Sequence, residues 1–211
     1  MRVAVVYESL FGDTREIAEA IAAGIREAAP GADLICRPAA EAGPQLARAD
    51  LLIVGAPTHF LGLPSPRSRT MQLRYRSESG SWYITGPVPR LAGNIAGSRH
   101  RPAGRGADRG PPTPAPPGVR EWLERLPRAA GSARAAVFDT RLDKLMSGSA
   151  AREIAHALGS LGYQLVVRAE GFSVADFQGP LAEGERDRAR QWGVAAYRAA
   201  LQHQANSPEP R

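Results

Sequence analysis

The chain begins with an alternation of apolar runs and amphipathic stretches. Residues 3–7 and 51–55 are continuous apolar runs with β-branched side chains, a pattern typical of parallel strands covered on both faces. Between them, residues 13–28 carry isoleucine and alanine at helical spacing, and the Pro30-Gly31 pair ends that helix. Residues 32–37 predict a further short strand. This part of the chain therefore predicts a strand, a helix and two more strands.

The same alternation returns after residue 118. The predicted elements there are a short helix over 119–126, a strand over 135–138, a helix over 149–161, a strand over 163–168 and a helix over 183–202. A strand–helix unit repeated about five times predicts a parallel sheet with helices on both faces and right-handed crossovers. Ligands of such sheets bind at the carboxyl ends of the strands, so the loops after Tyr7, Gly55 and Phe138 form the candidate site.

The segment between these two parts has no regular pattern. Residues 67–118 are rich in Pro, Gly and Arg, with a strand-like patch at 82–85 and a polyproline II spacer at 111–118. A run of this length without periodicity is unusual inside a compact domain. We predict one domain over residues 1–203, interrupted by an insertion or disordered loop at 67–118, with a polar tail at 204–211.

Positive charge is concentrated in that insertion. The chain carries a net charge of +6, and residues 67–118 contain nine arginines against two acidic residues. Such a segment attracts anions, including nucleic acid. Only Tyr75, Trp82 and Tyr83 could stack on bases, however, so a nucleic-acid partner is not expected. The other interpretations are a solvated surface excursion without a partner and a cover over the ligand pocket.

Composition disfavours several other classes of site. The single cysteine, Cys36, excludes an intramolecular disulfide and is typical of a small buried side chain. The four histidines show no metal-ligand spacing, and neither a P-loop motif nor a Gly-x-Gly-x-x-Gly motif follows the first strand. No apolar run approaches the roughly 18 residues of a membrane span, and no leader pattern precedes the first strand, so a cytoplasmic protein is expected.

The loop after the first strand carries the most informative motif. It consists of Ser9, Leu10, Phe11, Gly12, Asp13 and Thr14. Hydroxyls at both ends and the amides of a helix N-terminus form a neutral anion cradle, and the glycine permits close approach of the backbone. This loop resembles the phosphate loop of flavodoxins, Ser/Thr-x-x-Gly-Asn-Thr in outline, which binds flavin mononucleotide (FMN) without a lysine or arginine.

The resemblance covers residues 1–63 and 119–201 and implies a flavodoxin-like fold that holds one FMN. That fold is a doubly wound five-stranded parallel sheet in the order 2-1-3-4-5, with helices on both faces. Asp13 departs from the family, which usually has Asn at this position, and a carboxylate beside a phosphate costs Coulomb energy. The alternative interpretation is that Asp13 and Glu16 form a capping box for the following helix.

The loop after residues 51–55 resembles the flavodoxin loop that lines the isoalloxazine ring. Its candidate contacts are Pro57, Thr58, His59, Phe60 and Gly62. Phe60 is the candidate for stacking on the ring, and His59 is the alternative. A plain turn after a strand, with one satisfied histidine, explains the same residues without a ligand.

The loop after residues 135–138 contains Asp139, Thr140 and Arg141. The resemblance implies that it lies beside the pyrimidine edge of the flavin, where Thr140 and backbone amides would meet polar atoms of the ring. Arg141 would stabilise negative charge on the reduced ring. Alternatively, Asp139 and Thr140 simply end the strand.

These expectations describe an FMN-binding flavodoxin-like protein that acts in electron transfer or as a small flavin oxidoreductase. A redox partner protein, or a small molecule of the NAD(P)H or quinone type, would exchange electrons with the flavin. The alternative is a flavodoxin-like scaffold that has lost its flavin and serves as a binding or regulatory module. The departure at Asp13 and the basic insertion support that alternative.

Overall fold

The computed structural model describes residues 1–59, 62–78, 115–129, 133–142, 148–176 and 179–205, with 74–78 described by their backbone alone. The strands are β1 (Arg2–Tyr7), β2 (Asp33–Pro38), β3 (Leu51–Pro57), β4 (Arg134–Leu142), β5 (Gln164–Leu165) and β6 (Glu170–Val174). The helices are α1 (Asp13–Ala28), α2 (Pro66–Glu78), α3 (Val119–Glu124), α4 (Ala150–Ser160) and α5 (Glu185–Ala205), and Pro44–Arg48 forms a 3-10 turn.

Within the described residues, the strands form one parallel sheet. Its order is β2-β1-β3-β4-β5, with β6 also paired to β4. This order confirms the prediction of a doubly wound sheet in the order 2-1-3-4-5. The chain leaves β1 for β2 on one side and returns to β3 on the other, so the topological switch point lies between β1 and β3.

Of the predicted strand over 163–168, only residues 164–165 form a strand, β5; β6 follows at 170–174, beyond the prediction, along the same edge of β4. Residues 164–165 pair with 134–135, and 170–174 pair with 138–142. Residues 166–169 therefore lie opposite residues 136–137 of β4. The two extra residues form a bulge in the strand. Pairing resumes after the bulge between residues 170–174 and 138–142, so β4 extends beyond its predicted end at Phe138.

Two apolar layers cover the sheet, because alternate residues of each strand face opposite sides. Val5 and Tyr7 of β1 pack on the side of α1 and α5, whereas Val6 packs on the side of α3 and α4. Strand alternation then directs Glu8 toward α3 and Ser9 toward α1. The end of β1 therefore sends one polar side chain to each face of the sheet.

The predicted absence of regular structure over 67–118 does not hold for residues 67–78, which belong to α2. Ser65 and Ser68 bracket the start of this helix: the Ser68 N–H donates to Ser65 Oγ at 3.1 Å, and the Ser65 N–H donates to Ser68 Oγ at 2.9 Å. Pro66 at the first helical position is a usual start signal. Apolar periodicity does not reveal this helix, because the one buried side chain between residues 66 and 73 is the charged Arg69.

Several predictions fall on residues that the structure does not describe. The strand-like patch at 82–85, residues 111–114 of the proline-rich spacer, and Phe60 lie outside the described residues. Among the helices that are described, none combines the length and the apolar character needed to cross a membrane.

Candidate functional site

The carboxyl ends of β1, β3 and β4 place the three predicted loops on one edge of the sheet. Glu8 extends the pairing of β1, because its N–H donates to Gly55 O at 2.9 Å. The Thr58 N–H likewise donates to Thr140 O at 2.8 Å. The residues that follow β1 and β3 therefore start from fixed points on the sheet, as a ligand site at the switch point requires.

The loop after β1 closes into the start of α1 at Gly12. Its φ of 117° is open to glycine and strained for other residues, and a Cβ built there would meet nothing within 4 Å. Ser9 Oγ accepts the Gly12 N–H at 3.2 Å, and no side chain caps the helix. The first amides of α1, from Asp13 to Arg15, have no backbone carbonyl to donate to within the helix, and the Asp13 amide interacts with its own carboxylate. The loop thus presents an uncapped helix N-terminus next to open space.

The proposed capping box of Asp13 and Glu16 is wrong. Gly12, not Asp13, is the N-cap, and the Glu16 N–H donates to the Gly12 carbonyl at 2.9 Å. Asp13 is the first helical residue, so its side chain cannot reach the amide three residues on as a cap would. The carboxylate lies against the backbone of Gly179, and burial raises the pKa of Asp13.

The hydroxyls of Thr14 and Thr140 lie 2.7 Å apart and are buried. This hydrogen bond ties the first turn of α1 to β4 across the switch point. Each hydroxyl carries one hydrogen, so one of the two uses its hydrogen in the pair and the other keeps its hydrogen for another acceptor.

Asp139, Thr140 and Arg141 lie within β4 rather than in a loop after it, because β6 adds a partner strand for residues 138–142. Asp139 is fully buried, and its Oδ2 accepts from Thr58 Oγ1 at 3.1 Å, Ser149 Oγ at 2.7 Å and the Ala151 N–H at 3.0 Å. The Arg141 guanidinium lies 3.4 Å from Asp139 Oδ1 and packs over the backbone of Gly171. Asp139 therefore joins β4 to the loop after β3 and to α4.

The N-terminus of α4 is consequently closed. The Ala150 N–H donates to Thr58 Oγ1 at 2.9 Å, the Ala151 N–H to Asp139, and the Arg152 N–H to Ser149 Oγ at 3.2 Å. Ser149 is the N-cap of this helix. The starts of α1 and α4 thus differ. Side-chain oxygens accept hydrogen bonds from the first amides of α4, whereas α1 has no side-chain cap.

The loop after β3 is folded back on itself. The His59 N–H donates to Gly62 O at 2.9 Å and the Gly62 N–H donates to His59 O at 3.0 Å. Glu153 of α4 accepts the Leu63 N–H at 3.1 Å and packs where a side chain at Gly62 would stand. His59 is buried with Nδ1 3.3 Å from Ser68 Oγ, and burial together with the charge of Arg69 lowers its pKa to about 4. The imidazole is therefore neutral near pH 7.

Sequence reasoning missed an ionic cluster that joins buried Glu8 and Arg69 to half-buried Glu121, directly before the first loop. Arg69 Nη2 lies 2.6 Å from Glu121 Oε1, and Nη1 lies 3.6 Å from Glu8 Oε1. The available signal was Glu8 itself, a charged residue placed directly after a fully apolar strand on a face that helices cover. Arg69 comes from the segment treated as an insertion and Glu121 from the predicted helix over 119–126, and no pattern linked either residue to Glu8.

A cavity of about 310 Å³ lies between α3 and α4, lined in part by Leu63, Arg120 and Glu153. Its lining contains none of the residues from Ser9 to Thr14. The cavity therefore lies apart from the loop with the uncapped helix, and the candidate site is defined by its donors rather than by an enclosed volume.

The sheet order and the helices that cover both faces of the sheet define a flavodoxin-like α/β fold. A flavodoxin from Bacillus cereus matches with a TM-score of 0.57 at 15% identity, over 96% of this chain and 99% of that chain. An archaeal flavodoxin matches with a TM-score of 0.54 at 15% identity, over 95% and 99%. A flavodoxin, WrbA-like protein from Agrobacterium tumefaciens matches with a TM-score of 0.50 at 16% identity, over 96% and 98%. No protein-family model matches the chain and no curated protein matches it.

Proposed function

We propose that this protein binds FMN, with the phosphate held by residues 9–14. The observation that carries the proposal is the contrast between two helix starts at the same edge of the sheet. The start of α4 is closed by Thr58, Asp139 and Ser149, whereas the start of α1 has no side-chain cap and open space above Gly12. A helix N-terminus without a side-chain cap favours an anion. The solved structures of similar fold include proteins named flavodoxins.

The donors present in the loop suit a phosphate. Ser9 Oγ accepts from the Gly12 N–H and keeps its own hydrogen for a ligand. In the Thr14–Thr140 pair, donation by Thr140 leaves the Thr14 hydrogen for a phosphate oxygen. These neutral donors match the resemblance, in which hydroxyls and backbone amides hold the phosphate. The Asp13 carboxylate packs on Gly179 and also interacts with its own amide, for which a bound phosphate would compete.

Bound FMN would supply one- or two-electron redox chemistry, and the protein would position it and tune its potential. The role that follows is electron transfer or a small flavin oxidoreductase. The partner would be a redox protein or a small molecule of the NAD(P)H or quinone type. Oxidation of NAD(P)H by the FMN-loaded protein, measured with and without a quinone, separates these two roles.

A scaffold without flavin is the second candidate. The observation that favours it is the Thr14–Thr140 hydrogen bond, which satisfies both buried hydroxyls without a ligand. The two candidates are separated by titrating the protein into FMN and following quenching of the flavin fluorescence. Saturable quenching at micromolar protein supports FMN binding, and its absence supports the scaffold.

The Asp13→Asn variant sharpens this titration. Removing the carboxylate removes a repulsion with the phosphate, so FMN should bind more tightly to the variant, by about 1 kcal/mol. Riboflavin, which lacks the phosphate, should bind both proteins equally. Unchanged FMN affinity would mean that the Asp13 carboxylate packs on Gly179 without repelling the phosphate.

A further inference from the structure

The cluster of Glu8, Arg69 and Glu121 joins three parts of the chain that are distant in sequence. Glu8 directly precedes the phosphate-binding loop, Arg69 lies in α2 before residues 79–114, and Glu121 lies in α3 after them. Glu8 is 6% exposed and Arg69 is 2% exposed. Charged groups this deeply buried are costly unless they are paired, so their placement depends on one another.

The contacts of the cluster hold backbone as well as side chains. Glu8 Oε2 accepts the Val119 N–H at 2.9 Å, and Glu121 Oε2 accepts the Gly118 N–H at 2.8 Å. Arg69 Nη1 donates to Pro64 O at 3.3 Å. The cluster therefore fixes the end of β1, the start of α3 and the segment that leads into α2.

The cluster is tightly packed and not fully satisfied. A Cβ built on Gly118 would collide with Glu8 Oε2 and Arg69 Nη1. In the described part of the chain, Glu8 Oε1 and Arg69 Nε have no hydrogen-bond partner. Burial raises the pKa of Glu8, while the Val119 amide and Arg69 oppose that rise. The Glu8 carboxylate therefore depends on Arg69 for its charge balance.

We propose that Arg69 is a positioning residue for the phosphate-binding loop, acting through Glu8. This proposal rests on the proposed FMN site. Without Arg69, the Glu8 carboxylate is an unpaired buried charge, which must take up a proton or move toward water. Either change loosens the residue immediately before Ser9. The amides and hydroxyls of residues 9–14 then lose the fixed arrangement that a phosphate requires.

The test compares Arg69→Met with Arg190→Met, a control that removes an exposed arginine of α5 paired with Glu27 of α1. We expect Arg69→Met to weaken FMN binding by about tenfold or more and to leave riboflavin binding within about twofold, because only FMN carries the phosphate. Arg190→Met should change neither. Parallel loss of FMN and riboflavin affinity in Arg69→Met would overturn the proposal.

A steric variant tests the same idea without removing a charge. Gly118→Ala wedges a methyl group between Glu8 and Arg69 and should lower the FMN-to-riboflavin affinity ratio as Arg69→Met does. Gly159→Ala, in open space on α4, is the matched control. If Arg69→Met does not fold, Gly118→Ala and Arg69→Lys carry the test. An unchanged ratio in the folded variants contradicts the proposal.

Hydrogen exchange gives a readout that needs no flavin. The amides around this loop that are hydrogen-bonded, those of Glu8, Gly12 and Glu16, should exchange faster in Arg69→Met than in the unmodified protein, while amides of α5 stay unchanged. If the unmodified protein does not bind FMN, the proposed function fails, but faster loop exchange still supports the positioning role of Arg69. Equal exchange of the loop in both proteins would overturn that role.

Discussion

At the scale of single residues, the Thr14–Thr140 hydrogen bond is the point where the protein and a ligand would compete for one donor. Both hydroxyls are buried and 2.7 Å apart. A hydroxyl donates once and accepts twice, so the pair satisfies itself and can still donate one hydrogen bond. The direction of that donation decides whether Thr14 serves a phosphate, and substitutions at the two positions separate the possibilities.

The first prediction compares Thr14→Val with Thr140→Val. Both variants lose the same hydrogen bond within the protein, so both should lose a similar amount of stability. Only Thr14→Val also removes the hydroxyl from the cradle, and it should weaken FMN binding by about 1–3 kcal/mol without affecting riboflavin. Fluorescence titrations with both flavins measure this difference. Equal effects of the two variants on FMN affinity would place the Thr14 hydroxyl outside the phosphate site.

The second prediction concerns the pH dependence of stability through His59. Its pKa falls from 6.5 to about 4 on folding, so the unfolded chain binds a proton between these pH values that the folded protein does not. Stability therefore falls as the pH is lowered through this window, by about 2 kcal/mol from about pH 7.5 to about pH 5.

Urea unfolding of the unmodified protein and of His59→Asn at the two pH values isolates this contribution, since all other titrating groups are common to both. The variant should lose about 2 kcal/mol less on acidification. Identical losses would mean that His59 is protonated in the folded protein at pH 5.

At the scale of elements, the start of α4 depends on one carboxylate that belongs to a strand. Asp139 collects hydrogen bonds from Thr58, Ser149 and the Ala151 N–H, so it joins a loop, a cap and a helix. The sequence predicted a loop at this position, because the surplus residues at 166–169 that let β6 extend the ladder have no sequence signature. The sequence therefore placed Asp139 beside the flavin. In the structure it accepts hydrogen bonds from Thr58, Ser149 and the Ala151 N–H.

The third prediction is that Asp139→Ala destabilises the protein by about 2–4 kcal/mol, because it leaves two hydroxyls and one amide without an acceptor in a buried position. Asp50→Ala is the control, since exposed Asp50 also accepts one backbone N–H, from Arg2. Its cost should stay near 1 kcal/mol or below. Urea unfolding measures both. A cost for Asp139→Ala no larger than that of Asp50→Ala would contradict the role of Asp139 as a junction.

The same reasoning explains what sequence could and could not show about the helices. Apolar periodicity located α1 and α4, whose buried faces carry Ile17, Ile21 and Ile154. It missed α2, whose one side chain classed as buried in the described part is Arg69, held by charge rather than by apolar contact. Local capping chemistry at Ser65 and Pro66 was the signal that remained for that helix.

At the scale of the whole molecule, the centre of the sheet was predictable because β1, β3 and the first half of β4 are continuous apolar runs, and amphipathic helices follow β1 and β4. The strand order and the position of the switch point were predicted from the alternation of strands and helices, together with the resemblance of residues 9–14 to the phosphate loop of flavodoxins. The ionic cluster was not predictable, because its members lie at positions 8, 69 and 121 and meet only when the sheet is assembled. Long-range pairing of charges leaves no periodic trace in a sequence.

The fourth prediction follows from this arrangement and uses two replacements by a flexible Gly/Ser linker. Replacing residues 79–114 keeps α2 and the contacts of Arg69, whereas replacing residues 66–114 removes them. Because residues 79–114 are rich in Pro, Gly and Arg, their composition predicts little buried apolar surface and little loss of stability. The longer replacement leaves Glu8 buried without its counter-charge and should cost about 3 kcal/mol or more.

Urea unfolding and FMN titration of the two proteins measure these effects side by side. We expect the shorter replacement to unfold at nearly the same urea concentration as the unmodified protein and to keep its FMN affinity. The longer one should lose stability, and its FMN affinity should fall more than its riboflavin affinity, because residues 9–14, the proposed phosphate site, start directly after Glu8. Equal behaviour of the two replacements would mean that α2 does not anchor this loop. Loss of folding in the shorter replacement would instead show that residues 79–114 contribute to the fold, against the expectation from their composition.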